Sequence, residues 1–222
     1  MEAQALMALF HNPPLWERAA GFLWEPLSWI EAGHLQPLFP QLSLPVVQLP
    51  LVAQQYALER LGLAPFTHSF PVEDGSRFLL LELPTLTTLA QWLGALAYAR
   101  PLRSVMEGAQ VRRLQRAFPG VYPEVLHALG WFLPELPRLQ QAAETDEVPE
   151  KAVLERAGWR LLYAQLSHLP DALLRRLRLR FPPEMASLWE HPLVWKHRSE
   201  DILLLQRLLK RLAPGGYRLC CS

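Results

Sequence analysis

The chain has 222 residues, half of them hydrophobic and 19% charged, a balance that supports a buried core and excludes an intrinsically disordered chain. Net charge is +1, too little to announce nucleic acid, but it is unevenly spread: residues 1–100 hold four basic against eight acidic side chains, and residues 101–222 hold 18 against 13. The length suits one domain, or one domain with a small appended subdomain.

Residues 1–50 are divided into short pieces by Pro13, Pro14, Pro26, Pro37, Pro40, Pro45 and Pro50. The proline pair opens a predicted helix over 15–24, and a second short helix is expected over 27–38, because proline suits a first helical turn. Residues 42–49 read as extended or turn-like. This stretch is expected to form an N-terminal wrapping segment packed on a helical domain over 51–214, with 215–222 as a short tail.

The domain opens with a helix over 51–61, for which Gly62 is a plausible C-cap. Residues 65–74 connect, and Glu73-Asp74-Gly75-Ser76 is a turn signal. The apolar run 78–83 is either a short strand or a helical turn. A helix follows over 85–99 with Leu89, Trp92, Leu93, Leu96 and Ala97 on one face, and Pro101 is expected to stop it. The next spans 102–118 and carries Arg103, Arg112, Arg113 and Arg116 on a polar side. Pro119-Gly120 punctuates, and a helix over 122–133 carries Trp131.

Residues 144–150 read as an exposed acidic loop that feeds the most regular helix, over 151–169, where Leu154, Leu161, Leu162, Leu166 and Leu169 recur at three- and four-residue steps. Pro170-Asp171 opens a helix over 172–180, closed by Pro182-Pro183. A short aromatic segment spans 189–195. Ser199 is the expected N-cap of a helix over 202–212, with Glu200 and Asp201 in its first turn, and Pro214-Gly215-Gly216 ends it. The fold class is therefore mainly α: an irregular multi-helix domain with proline-rich corners, plus at most one short strand or hairpin. An up-down bundle would use longer helices and fewer prolines.

The sequence carries no phosphate-binding glycine loop and no Gly-x-Ser-x-Gly elbow. None of the seven histidines forms a His-x-x-x-His pair or lies beside a cysteine at ligand spacing; the group Glu190-His191 with His197 is the nearest approach to a metal site and reads as surface or packing histidines. The acid pairs Asp146-Glu147 and Glu200-Asp201 sit at predicted helix starts, where the helix dipole explains them. No catalytic residue, cofactor or metal is therefore assigned, and the chain is not expected to be an enzyme. Cys220 and Cys221 are adjacent and cannot staple a fold, which suits a reducing compartment, and Cys-Cys-Ser matches no prenylation box. Met1-Glu2-Ala3 opens no signal-peptide pattern, and no apolar run reaches membrane-spanning length.

Eight tryptophans and two arginine groups remain. Most tryptophans are expected in the core, with two or three available for a protein-binding patch. Arg175, Arg176, Arg178 and Arg180 crowd one short helix whose Leu173, Leu174, Leu177 and Phe181 can bury. The readings for this group are a solvated helix flank, a contact for an acidic protein surface, or nucleic acid. The broad leucine face over 202–212 reads as core in preference to membrane contact.

Five features occur in order: a leucine-rich helix, Val111-Arg112-Arg113-Leu114, the acidic proline-containing stretch 142–150, Gly158-Trp159-Arg160-Leu161-Leu162, and Arg176-Leu177-Arg178-Leu179-Arg180-Phe181-Pro182. Over residues 85–212 this order resembles the SctK family (YscK and PscK types), cytosolic accessory proteins of bacterial type III secretion sorting platforms. The resemblance implies a non-catalytic adaptor, without cofactor, that links an inner-membrane ring protein (SctD-like) to a C-ring pod protein (SctQ-like) at the cytosolic face of the inner membrane. It marks Arg112, Arg113, Trp159, Arg176, Arg178 and Arg180 as protein-interaction candidates, either at partner contacts or in holding the fold. The alternatives are a regulatory nucleic-acid binder using Arg112 to Arg116 and Arg175 to Arg180, and a secretion chaperone holding a client in an apolar groove.

Overall fold

The computed structural model describes residues 13–41, 48–63, 75–105, 107–122, 124–128, 136–145, 147–185, 187–190, 193 and 198–221. All regular structure among them is helical. The predicted extended stretch at 42–49 falls almost wholly outside the described residues, as do the connection 65–74, Trp131, Trp195, His191 and His197. The chain divides into two compact units, one formed by residues 1–81, 166–190 and 218–222, the other by 82–165 and 191–217.

In the first unit, α1 (Pro13–Trp24) starts at the proline pair and buries Leu15, Ala19, Phe22 and Leu23, one helical stripe. A 3-10 turn at Pro26–Trp29 brings Trp29 back over α1, edge-on to Phe22 with centroids 5.4 Å apart. Helix α2 (Ala32–Leu35) is opened by Glu31, whose carboxylate accepts the Gly33 N–H at 2.6 Å. Helix α3 (Leu51–Arg60) ends where Gly62 takes φ +64°, the left-handed conformation that glycine adopts without strain. Leu27, Leu35 and Ala57 close a small apolar cluster between these pieces. The run at 78–83 resolves to the helical alternative, a 3-10 turn at Ser76–Leu80. The unit's later part is α10 (Asp171–Arg178), a 3-10 turn at Pro183–Met185, and α11 (Ser187–Glu190).

The second unit is organised on α4 (Leu83–Ala97), which buries Leu86, Leu89, Trp92, Leu93 and Leu96. Pro101 does not stop a helix as expected. The chain breaks at Tyr98, and Pro101 lies in the first turn of α5 (Ala99–Ser104), where its missing N–H is no loss. The long helix predicted over 102–118 is accordingly two, α5 and α6 (Gly108–Ala117). Two short helices follow, α7 (Glu124–Ala128) and α8 (Leu136–Leu139). Helix α9 (Lys151–Leu166) then lies against α4. At that crossing Gly158 meets Ala90 and Gly94 meets Leu154, backbone against backbone, with no room for a Cβ on either glycine.

Helix α12 (Ser199–Leu212) supplies Ile202, Leu204, Leu205, Leu208 and Leu209 to the core. Its N-cap is Arg198, not Ser199. The reason is Asp201: its carboxylate accepts the Arg198 N–H at 2.9 Å and the Arg138 guanidinium at 2.7 Å, so the buried acid fixes the helix start. Pro214 ends α12 as expected, but it also opens α13 (Pro214–Cys221).

Candidate functional site

The arginine run of α10 and the residues just after it is partly turned inward: Arg176 and Arg180 are buried, Arg178 is half-buried and Arg175 is exposed. Leu173, Leu174, Leu177 and Phe181 are buried as the periodicity predicts, and Arg176 and Arg180 are buried with them, 5% and 7% exposed. Arg180 donates to the carbonyls of Leu79 and Leu81, each at 2.6 Å, and lies over the Trp29 ring at 4.7 Å. Arg18 donates to the carbonyl between them, Leu80 O, at 3.4 Å. Arg176 donates to Leu23 O at 3.4 Å, and Arg175 to Gly62 O at 3.2 Å. Residues 175–180 thus reach carbonyls at the ends of α1, α3 and the 76–80 turn, and the buried bonds, those of Arg176 and Arg180, satisfy acceptors at Leu23, Leu79 and Leu81. Two further bonds close the set: Glu31 N–H to Leu179 O and His34 Nε2 with Phe181 O, both at 2.8 Å.

Charge follows geometry. Burial, with the Arg18 cation close by, pushes the Arg180 guanidinium down to about 10. Burial also lowers Arg176 and the half-buried Arg178. Among the described residues Arg180 has no carboxylate partner; two carbonyl dipoles and an indole face carry its charge. Arg176 and Arg180 are therefore not part of a solvated flank, while Arg175 stays exposed. Trp159 is buried too, in the helix that crosses α4.

Arg112 and Arg113 are placed differently: both are exposed on α6, with Arg116, while Leu114 buries on the other side. The predicted candidates therefore fall in two sets, one in each unit. Arg176, Arg178 and Arg180, with Leu23, Leu79, Leu81 and Trp29, belong to the first unit, while Arg112, Arg113 and Trp159 belong to the second.

A surface that the sequence reading missed lies on the first unit. Leu51 and Val52 are 75% and 77% exposed, and Tyr56, one helical turn on, is exposed beside Arg60. Trp24 is 60% exposed, edge-on to Trp16, and borders a groove of about 260 Å³ lined by Glu25, Pro26, Leu27, Gln54 and Leu58. Three aliphatic or aromatic side chains on the outer face of one helix, with a solvent-facing tryptophan, make an apolar surface suited to protein contact. Apolar residues at helical spacing read as core in a sequence, so only the burial pattern shows these to be outside. Of the other described tryptophans, Trp92, Trp159 and Trp189 are buried, and Trp16 and Trp29 are half-buried.

Among the described residues, no cluster of three or more His, Cys, Asp or Glu side chains is gathered as for a metal ion, and no helix is long and apolar enough to cross a membrane. Fold and surface together define a mainly helical protein that, among the described residues, exposes an apolar helix face and a cationic one. The chain belongs to the YscK family: the family described as Yop proteins translocation protein K matches it over residues 19–220. It is accordingly a protein of type III secretion, a protein-transport system, and the match reaches well upstream of the motifs that first suggested it. No curated protein and no solved structure matches the chain.

Proposed function

We propose that this chain is a non-catalytic adaptor of the cytosolic sorting platform, linking the SctD-like inner-membrane ring protein to the SctQ-like pod protein at the cytosolic face of the inner membrane. Membership of the YscK family over residues 19–220 is the observation that carries the reading. Two exposed surfaces of unlike chemistry support it: the apolar face of α3 with Trp24, and the arginine face of α6. An adaptor needs two partners, and unlike surfaces let each partner reject the wrong one. In this reading Arg112 and Arg113 meet a partner directly. Trp159, Arg176 and Arg180 act through the shape they hold, because a buried side chain offers a partner little contact area.

The nucleic-acid reading is weaker, since three arginines of its second cluster, Arg175, Arg176 and Arg180, already bond to the chain's own carbonyls. Separate co-expression of the full chain with the pod protein and with the cytoplasmic part of the ring protein tests the proposal. Each is expected to co-purify with it. A chain that melts cooperatively yet retains neither partner would end the adaptor reading.

A further inference from the structure

We infer that the α5–α6 segment docks an acidic segment of a partner protein through Arg100, Arg103, Arg112, Arg113 and Arg116. All five side chains are exposed, and Glu107 is the one acidic residue between positions 99 and 120. Among the described residues none of the five is ion-paired. The same unit pairs Arg138 with Asp201, Arg156 and Arg160 with Glu144, and Arg211 with Glu124. Carboxylates are thus found for four other arginines of the unit and withheld from these.

On α6, Arg112 and Arg116 are one turn apart and Arg113 is adjacent, so three like charges share one side of a single helix. That arrangement destabilises a free helix, and a partner's opposite charge would relieve it. Leu114 and Phe118 are buried on the other side and hold the backbone that presents the cations. Arg116 Nε donates to Arg112 O at 3.3 Å, so the Arg116 side chain is braced on its own helix.

The chemistry favours carboxylates. Guanidinium forks donate to them bidentately, and adjacent turns of an acidic helix or loop offer several at once. A bilayer is disfavoured because no large apolar side chain is exposed among the described residues 99–120, leaving nothing to insert. Single-stranded nucleic acid is disfavoured because the neighbouring aromatics Tyr98, Phe118 and Tyr122 are buried and present no stacking platform. The inference rests on the adaptor reading only in taking the partner to be a platform protein.

The test compares the full chain with Arg112→Glu/Arg113→Glu/Arg116→Glu and with the corresponding triple Gln variant, after circular dichroism melts show that all three fold. The probes are a short Glu/Asp-rich peptide, its Gln/Asn isostere, a DNA duplex of matched charge, vesicles of equal parts phosphatidylserine and phosphatidylcholine, and the pod and ring proteins. The wild type is expected to bind the acidic peptide in preference to every other non-protein probe, more weakly as salt rises. Charge reversal should weaken that binding by about tenfold or more, with the Gln variant between, and platform-protein binding should fall in parallel. A reversal variant that keeps its platform partner undiminished overturns the inference, as does tighter binding of DNA or vesicles. A wild type that binds neither platform protein, but whose acidic-peptide binding falls on reversal, keeps this inference and ends the adaptor reading.

Discussion

Replacing Arg180 by Met is expected to lower the stability of the protein by about 3 kcal/mol, a substantial part of the ~5–15 kcal/mol that holds a typical domain folded. Methionine fills much of the space but donates nothing. The carbonyls of Leu79 and Leu81, both on buried residues, then lose their donor, at roughly 1–3 kcal/mol each. Two effects oppose this loss: a buried charge no longer has to be desolvated, and its repulsion with Arg18 disappears. They reduce the loss without cancelling it, because the orphaned acceptors remain. Lysine should be intermediate, since one ammonium cannot reproduce a planar fork spanning two carbonyls and a stacked indole. Arg175→Ala, which removes one bond at an exposed site, should cost less than about 1 kcal/mol.

The pH dependence follows from the direction of the Arg180 shift. A guanidinium lower in the folded than in the unfolded state takes up a proton when the chain unfolds at high pH. Its desolvation cost is therefore present in full below about 10 and recedes only as pH rises through that value. The Arg180→Met deficit should accordingly be the same across roughly pH 6 to 8. Urea unfolding followed by tryptophan fluorescence measures all three variants. An unchanged midpoint for Arg180→Met would show that the carbonyl bonds do not hold this unit together.

Gly158→Ala is expected to be at least as damaging, costing about 3 kcal/mol or more. A Cβ at Gly158 falls on the Ala90 carbonyl, and one at Gly94 on the Leu154 carbonyl, so the obstacles are backbone and cannot rotate away. The only relief is to separate α4 from α9, which loosens the packing of Trp92, Leu93, Leu161 and Leu162, all buried in those two helices. Thermal unfolding should show a melting temperature lower by roughly 6–12 °C. Gly215→Ala is the control: nothing lies within 4 Å of the added carbon, and alanine in a helix should be neutral or slightly stabilising. Equal melting temperatures for Gly158→Ala and wild type would contradict the close crossing.

These two positions show how far the sequence could be read. The helices with strong leucine periodicity, at 83–97, 151–166 and 199–212, are visible because burial of one stripe is a local pattern. Gly158-Trp159 and the Arg176–Pro182 run are visible as motifs, but what they do is not. The acceptors of the arginines, at 23, 62, 79 and 81, are from 99 to 153 residues away along the chain for Arg176 and Arg180, and no local rule links them. A charged amphipathic helix reads as solvated on its polar side, since sequence alone cannot supply the carbonyls that make burying an arginine tolerable. The same limit works in reverse on α3, where nothing in the sequence marks Leu51 and Val52 as the side chains that lie outside. Pro101 and Ser199 mislead by only a few residues, because a proline or a capping side chain fits several neighbouring registers and tertiary contacts such as Arg138 with Asp201 choose among them.

The adaptor account divides the arginines by task. Those of α10 hold one unit, and those of α5 and α6 face outward for a partner. A divided chain of this kind is expected to hold two proteins at once. Light scattering of the full chain mixed with both the pod protein and the cytoplasmic part of the ring protein tests that most directly. The account predicts a single eluting species whose mass requires all three chains. Two separate binary complexes, with pod and ring proteins displacing one another, would contradict it.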